Sequence, residues 1–277
     1  MNIGGHDIGV CSWSLQPTDM ANLVSQMRKL KLQHVQLALL WLLEMDDEQR
    51  RRELDVLSKA DVALTGGMIN FPGEDYSTIA MIHETGGYLP DKTWPQRREM
   101  TLAAGKLATQ LGIRLLSVHM GFIPLSSNGQ YQVLIERARE LASSMADLGI
   151  DLLMETGQER AAELLQFLND VSAKNVHINF DPANMILYGA GDPIEAVKIL
   201  GRHIRHVHVK DATLSKQPGV TWGEEVPFGA GQVGAARFLA TLHSVGFAGP
   251  LAIEREAGNT RLADVAVAIE ALRAAAE

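Results

Sequence analysis

Residues 150–184 read IDLLMETGQERAAELLQFLNDVSAKNVHINFDPAN and contain the pattern that decides the fold. Two short apolar runs, 150–157 and 176–184, are typical of buried strands. Between them, residues 159–174 repeat apolar side chains at helical spacing. A helix that joins two buried strands is the usual crossover of a parallel sheet, so this stretch predicts one β-α-β unit.

The same strand-helix unit repeats along the whole chain. Further predicted strands are 8–13, 34–39, 62–70, 114–122, 204–211 and 250–256, and further helices lie near 19–31, 46–60, 94–111, 130–148, 192–201, 234–246 and 260–276. Eight units in 277 residues give about 35 residues each, which matches the βα module of a TIM barrel. We therefore predict an α/β fold, a (β/α)8 TIM barrel, with residues 1–277 forming a single domain.

A doubly wound open sheet is the alternative architecture. Such a sheet is expected to carry G-x-G-x-x-G after its first strand, whereas this chain has Val10-Cys11-Ser12-Trp13-Ser14 there. The barrel is therefore favoured.

Composition limits the class of protein. The single cysteine, Cys11, excludes an internal disulfide and a multi-cysteine zinc site. A net charge of −8 disfavours general nucleic-acid binding. No apolar run approaches the ~18 residues that span a membrane, and the N-terminus lacks the features of a secretion signal. We expect a cytoplasmic protein with no nucleic-acid or membrane partner.

Residues 70–93 form the longest stretch without periodicity, and they include two prolines and three glycines. A long loop in a compact domain is usually functional, so we interpret this segment as a lid over the active site.

Four consecutive strands in the second half of the chain end in polar residues that burial alone does not favour: Glu155, Asp181, His208 and Glu254. In this fold the C-terminal ends of the strands form the active site. Buried carboxylates are costly unless they are paired or bound to a cation, so three of them beside an imidazole predict a divalent metal site. The donor set suits Mn²⁺, Mg²⁺ or Co²⁺, with Zn²⁺ as a further alternative.

Strand seven offers two histidines on one face, His206 and His208. We assign His208 as the ligand because it lies nearer the C-terminal rim, and place His206 behind it or in the core. Asp211 is expected to orient or cap this region. His119, at the end of strand four, is a candidate for hydrogen bonding to the substrate.

These motifs resemble the sugar phosphate isomerase/epimerase family of xylose isomerase-like barrels. The resemblance rests on ETG at 155–157, FDPANM at 180–185, HVHVKD at 206–211, PFGAG at 227–231 and IERE at 253–256. It implies that the four residues above bind one divalent metal and that Glu155 and Glu254 also transfer protons. It also implies a small carbohydrate substrate and favours a homodimer or homotetramer.

Known chemistry connects the metal with the two glutamates. A metal that chelates neighbouring carbonyl and hydroxyl oxygens acidifies the C–H between them and holds a cis-enediolate. One carboxylate then removes the proton and the other returns it. We therefore expect an isomerase or epimerase that acts on a small ketose, keto-polyol or hydroxy-keto acid.

The chain departs from two related groups. Repair nucleases of the superfamily have a histidine three residues after the strand-six aspartate, where this chain has Asn184, and they also need a three-metal cluster. Ketose 3-epimerases share that histidine and carry an arginine where this chain has Leu214. Asn184 and Lys210 are therefore predicted to contact the substrate differently, together with Glu256.

Aromatic residues and glycines near the strand ends raise two further questions. Trp13, Trp41, Phe71 and Trp94 are candidates for a wall against a sugar's C–H face, with at least two of them expected in the core. Gly229-Ala230-Gly231 lies where barrels often bind phosphate. The family keeps this glycine segment whatever the substrate, so we assign it to close backbone packing.

Two other functions fit the same residues. A dehydratase of the inosose or 3-dehydroshikimate type begins with the same proton abstraction but expels a hydroxyl group. A non-catalytic carbohydrate-binding protein would keep the scaffold without turnover.

Overall fold

Eight parallel strands close into a barrel in the computed structural model, which describes residues 1–277. The barrel closes because the last strand pairs with the first, with Leu251 opposite Ile8 and Ile253 opposite Val10. The predicted (β/α)8 architecture is thus confirmed. The strands are β1 (His6–Cys11), β2 (His34–Ala38), β3 (Ala63–Ile69), β4 (Leu115–Val118), β5 (Asp151–Glu155), β6 (Val176–Phe180), β7 (Ile204–Val209) and β8 (Leu251–Ile253).

Helices surround the barrel, and the apolar core lies between them and the strands. In the helix that follows β5, for example, Leu164, Phe167 and Leu168 are buried at helical spacing. The helices are α1 (Met20–Lys29), α2 (Leu39–Leu43), α3 (Asp47–Ser58), α4 (Ile79–Thr85), α5 (Trp94–Gln110), α6 (Gly129–Asp147), α7 (Ala161–Val171), α8 (Pro182–Tyr188), α9 (Pro193–Leu200), α10 (Ala235–Ser244) and α11 (Arg261–Ala276).

Short elements decorate this frame. Asn2–Ile3 pairs antiparallel with β1, and Asp211–Thr213 pairs antiparallel with Glu224–Val226 above β7. Two 3-10 turns, Ser12–Leu15 and Gly201–His203, follow β1 and precede β7. No helix is both long and apolar enough to cross a membrane.

Several strands end earlier than the sequence predicts. The predicted strand 176–184 is wrong beyond Phe180, because Asp181 caps α8 and Pro182 occupies its first turn. Likewise, β4 ends at Val118 and β8 ends at Ile253. After β4 and β8, the residues predicted to continue the strand instead form loops above the barrel, and after β6 they form the start of α8.

Three helices were not predicted: α2, α4 and α8. Each has only five or seven residues, which is too short for a helical repeat to stand out from a general apolar run. One of them, α4, lies within residues 70–93, so this segment is not the irregular loop that its composition suggests.

Candidate functional site

The C-terminal ends of β5 to β8 bring the four predicted metal-ligating side chains together. One ligand atom from each of Glu155, Asp181, His208 and Glu254 lies within 4.8 Å of the other three. The His208 Nδ1 atom is 3.1 Å from Glu155 Oε1, 3.1 Å from Glu254 Oε2 and 3.6 Å from Asp181 Oδ2. All four side chains are buried. The convergence expected from the strand ends is therefore present.

The donor atoms of this cluster fit a divalent cation. Three of its buried carboxylate oxygens have no hydrogen-bond partner: Glu155 Oε2, Asp181 Oδ2 and Glu254 Oε2. Basic side chains lie near these oxygens, with Lys210 Nζ 2.9 Å from Glu254 Oε2 and 3.7 Å from Asp181 Oδ2, and His119 Nε2 3.3 Å from Glu155 Oε2. Three buried carboxylates still outnumber the one lysine, and a cation among them would lower the cost of burying their charge. Three oxygen donors and one nitrogen donor match the preferences of Mg²⁺, Mn²⁺ and Co²⁺.

The two carboxylate oxygens of Asp181 have different surroundings. Its Oδ1 atom accepts hydrogen bonds from the backbone amides of Ala183 (2.8 Å) and Asn184 (3.0 Å), which caps α8. The backbone amide of Asp181 donates to Thr156 Oγ1 at 2.8 Å, which ties the end of β6 to β5. With Oδ1 fixed by the helix, Oδ2 is left facing the cluster.

His208 is held from below by Gln36 on β2. The Nε2 atom lies 2.7 Å from Gln36 Oε1 and 3.0 Å from Asn179 Nδ2. The shorter contact is to an acceptor, so it places a proton on Nε2, and Nδ1 is the atom that faces the carboxylates. A metal bound by Nδ1 would take the place of a proton on that atom. Sequence analysis missed Gln36. The available signal was a single polar residue between Val35 and Leu37 inside an apolar strand.

His206 lies deeper in the barrel and does not reach the cluster's carboxylates. It is fully buried, with Nδ1 at 2.8 Å from Asn179 Oδ1 and Nε2 at 3.2 Å from Thr65 Oγ1. Burial, reinforced by the neighbouring His208, lowers the pKa of His206 to about 3. His206 is therefore neutral at physiological pH.

Opposite charges lower the pKa values of Glu155 and Glu254. Burial alone would raise the pKa of Glu155, but the His119 and His208 rings outweigh it, so this pKa stays below its usual value. His208 and Lys210 lower the pKa of Glu254 against the same burial effect. Burial would lower the pKa of Lys210, and its carboxylate neighbours, led by Glu254, raise it well above its usual value.

A cavity of about 420 Å³ opens above the cluster. This volume lies in the range of roughly 300–1,000 Å³ that is usual for small-molecule sites. All five predicted substrate-binding residues line it: Trp13, His119, Asn184, Lys210 and Glu256.

Two of these five residues hold Glu155 and Glu254 in place. Trp13 Nε1 donates to Glu254 Oε1 at 2.7 Å, and Asn184 Nδ2 donates to Glu155 Oε1 at 3.0 Å. His119 Nε2 lies 3.3 Å from Glu155 Oε2 at the side of the cavity. Each glutamate thus has one oxygen anchored by a hydrogen bond, while its second oxygen lies beside a basic side chain, His119 for Glu155 and Lys210 for Glu254.

The aromatic wall differs from the one predicted. Only Trp13 of the four candidates lines the cavity, since Phe71 is buried against Tyr88 and both Trp41 and Trp94 pack on the core. These three side chains serve packing instead of lining the cavity. The other aromatic lining residues, which sequence analysis missed, are Tyr76, Tyr188 and Trp222.

The segment proposed as a lid contributes directly to the cavity. Asn70 and Tyr76 line it, and the backbone oxygen of Tyr76 accepts a hydrogen bond of 3.1 Å from Trp222 Nε1. Trp222 in turn packs edge-on against Tyr188, with ring centroids 4.6 Å apart. The loop after β3 and the loop after β7 therefore meet over one side of the cavity.

The Asp211 side chain binds the backbone of the glycine segment 229–231, which lies in the loop after β7. Its Oδ2 atom accepts from the backbone amides of Gly229 and Gly231, and its Oδ1 atom accepts from that of Val233, each at 3.0 Å. These amides are the donors that a phosphate would need there. The Asp211 carboxylate already accepts from these three amides, which we call the Asp211 cradle, so they are not free to bind a phosphate. This arrangement is consistent with the assignment of the glycine segment to backbone packing.

We expect Gly231→Ala to destabilise the protein. A Cβ atom at this position would lie 2.2 Å from Asp211 Oδ1 and 2.6 Å from the Ala212 backbone oxygen, so the cradle must open. Overpacking of this kind costs about 1–3 kcal/mol. Thermal unfolding measures the loss, with Gly129→Ala at the open start of α6 as the control. If both variants melt with the wild type, Asp211 does not hold this loop.

The chain belongs to the xylose isomerase-like TIM barrel family, whose sequence profile matches residues 79–275. A xylose isomerase domain protein from Planctomyces limnophilus is 34% identical in sequence, with a TM-score of 0.88 over 98% of this chain and 96% of that one. The fold of the chain thus agrees with the family.

More distant solved structures share the fold alone. A xylose isomerase-like TIM barrel protein from Mycobacterium smegmatis, solved in complex with magnesium, is 16% identical with a TM-score of 0.73 over 100% of both chains. D-Psicose 3-epimerase from Clostridium cellulolyticum H10, solved with D-tagatose, is 14% identical with a TM-score of 0.73, covering 98% of this chain and 99% of that one.

A relative in Escherichia coli matches over a shorter range. The uncharacterized protein YihM is 28% identical over 117 residues, which is 40% of this chain and 35% of the E. coli protein. The match therefore spans about a third of that relative's length.

Proposed function

We propose that this protein is a divalent-metal-dependent isomerase or epimerase that transfers a proton beside the carbonyl of a small ketose, keto-polyol or hydroxy-keto acid. The observation that carries the proposal is the pair of buried glutamates, Glu155 and Glu254, which share one cluster and line one cavity. The epimerase with the same fold, and the related barrel that holds magnesium, support it.

The proposed metal ligands are Glu155, Asp181, His208 and Glu254. A divalent ion held there would act as a Lewis acid that polarises a substrate carbonyl. The chain itself prepares the site: Gln36 sets the His208 tautomer and the α8 cap directs Asp181 Oδ2 inward. The groups that orient these two ligands, the Gln36 side chain and the Ala183 backbone amide, are not themselves proposed ligands.

The proposed acid-base pair is arranged on two sides of the cluster. Glu155 comes from β5 and Glu254 follows β8, so the two carboxylates reach the cavity from different strands. One ionised carboxylate removes the proton beside the carbonyl, and the other donates a proton taken up from solvent to the opposite face or to the neighbouring carbon. Exchange with water then returns both carboxyl groups to their starting protonation states. The anchors Asn184 and Trp13 keep the two side chains in place during this exchange.

Solvent deuterium incorporation tests the proposal directly. The purified protein, loaded with Mg²⁺, Mn²⁺ or Co²⁺, is incubated in D₂O with a panel of ketoses, keto-polyols and hydroxy-keto acids, and proton NMR follows loss of the C–H signal beside the carbonyl. We expect metal-dependent exchange with at least one substrate and no exchange after chelation. Net loss of water from the exchanged substrate would identify a dehydratase instead. Sugar binding without exchange across the panel would contradict an enzymatic role.

A further inference from the structure

The cavity contains one lysine and no arginine, and acidic groups already surround the lysine. Among the lining residues only Lys210 is a lysine or arginine. Its Nζ atom lies 2.7 Å from Glu256 Oε2, 2.9 Å from Glu254 Oε2 and 3.7 Å from Asp181 Oδ2. The Lys210 side chain is only 3% exposed, so it cannot swing out to meet an incoming anion without leaving these partners.

The nearest arginine above the barrel is also engaged. Arg255 Nη1 donates to Glu225 Oε1 at 2.7 Å, and Arg255 Nε donates to Asp264 Oδ2 at 2.8 Å. Glu225 lines the cavity and Arg255 does not, so the substrate would meet the carboxylate of this ion pair and not the guanidinium. The Arg255 guanidinium is therefore not free to form the paired hydrogen bonds that carboxylates and phosphates favour.

The backbone offers no anion site at the usual place either. In barrels of this type, phosphate commonly binds at the loops after strands seven and eight. Here the amides of Gly229, Gly231 and Val233 donate to the Asp211 carboxylate. A phosphate could enter only by displacing a buried carboxylate from three hydrogen bonds.

The remaining walls disfavour negative charge as well. Trp13, Tyr76, Tyr188 and Trp222 contribute aromatic surface, whose faces carry partial negative charge. Glu155, Glu225, Glu254 and Glu256 contribute carboxylates. A bound divalent cation would not reverse this balance, because three carboxylates already surround its position.

We propose that the cavity accepts an uncharged ketose or keto-polyol, and that Glu256 is a specificity residue that excludes phosphorylated and carboxylated analogues by neutralising Lys210. The inference rests on the proposed function, since it assigns the substrate class of the same cavity. It removes hydroxy-keto acids from the range of substrates.

Unreactive polyols test the charge preference apart from turnover. Sorbitol, sorbitol 6-phosphate and gluconate all lack a ketone, so calorimetric titration into the Mg²⁺-loaded protein reports binding alone. We expect sorbitol to bind at least tenfold more tightly than either anion, and inorganic phosphate not to compete with it. An anion that binds as tightly as sorbitol, or that binds when sorbitol does not, would overturn the inference.

The Glu256→Gln variant tests the assigned residue. The amide keeps the shape of the side chain but leaves Lys210 with one fewer carboxylate, so we expect the preference for sorbitol over sorbitol 6-phosphate to fall about tenfold. Glu224→Gln is the control, since it removes the same charge from an exposed residue near the cavity. Equal preferences in wild type and Glu256→Gln would contradict the role of Glu256. Absence of deuterium exchange alongside a retained sorbitol preference would refute the proposed reaction and leave the charge inference standing.

Discussion

Glu155→Gln and Glu254→Gln are each expected to lower turnover by about 10²–10⁴-fold, the usual contribution of a positioned acid or base. Each glutamine can still occupy its place in the cluster, because the replaced side chain keeps one oxygen and its size. It loses the ability to accept a proton, and its loss of charge is also expected to weaken metal binding, so the variants are compared at equal metal occupancy. Turnover is measured on whichever substrate shows deuterium exchange, at saturating metal, with metal content determined for each variant.

Exchange in the single variants separates epimerisation from isomerisation. If the two glutamates serve opposite faces of one carbon, each variant retains exchange with the epimer whose proton faces the remaining carboxylate and loses it with the other. Glu270→Gln, which changes an exposed residue paired with Arg273, is the matched control. Full turnover in both site variants with normal metal content would contradict the acid-base assignment.

The sequence predicted the barrel and its cluster because both follow from the spacing of apolar and polar residues along the chain. Glu155 and Glu254 each follow an apolar run, and strand order in a barrel places the ends of neighbouring strands together. Asp181 was found by the same argument, although its strand ends one residue before it and a helix begins one residue after it. Its function as a cap could not be read from the strand pattern.

The rest of the site depends on tertiary contacts that leave no repeating pattern in the sequence. Gln36 lies 172 residues from His208 in sequence, and only barrel closure brings β2 and β7 within reach of one another across the interior. Tyr76 and Trp222 lie on separate loops that meet above the barrel, 146 residues apart. Loop conformation follows local turn chemistry and packing, so the sequence did not predict the wall that these residues form.

Asp181→Asn is expected to weaken metal binding by about 100-fold or more while leaving the fold intact. The substitution removes a negatively charged ligand from a buried site, an effect of several kcal/mol in general. Asparagine caps helices about as well as aspartate, so α8 retains the hydrogen bonds that Oδ1 now accepts from Ala183 and Asn184. Calorimetric titration with Mn²⁺ measures the affinity, and circular dichroism checks the fold.

The same chain supplies a matched control for Asp181→Asn. Asp192 also caps a helix that begins with proline, accepting from the Ile194 amide at 2.7 Å, but it lies outside the metal cluster. Asp192→Asn should therefore bind Mn²⁺ like the wild type. A 100-fold loss of affinity reduces metal-dependent stabilisation by about 2.7 kcal/mol, so the melting temperature of Asp181→Asn should rise by about 5–10 °C less on saturation than that of the control. Equal affinities in the two variants would show that Asp181 acts as a helix cap alone.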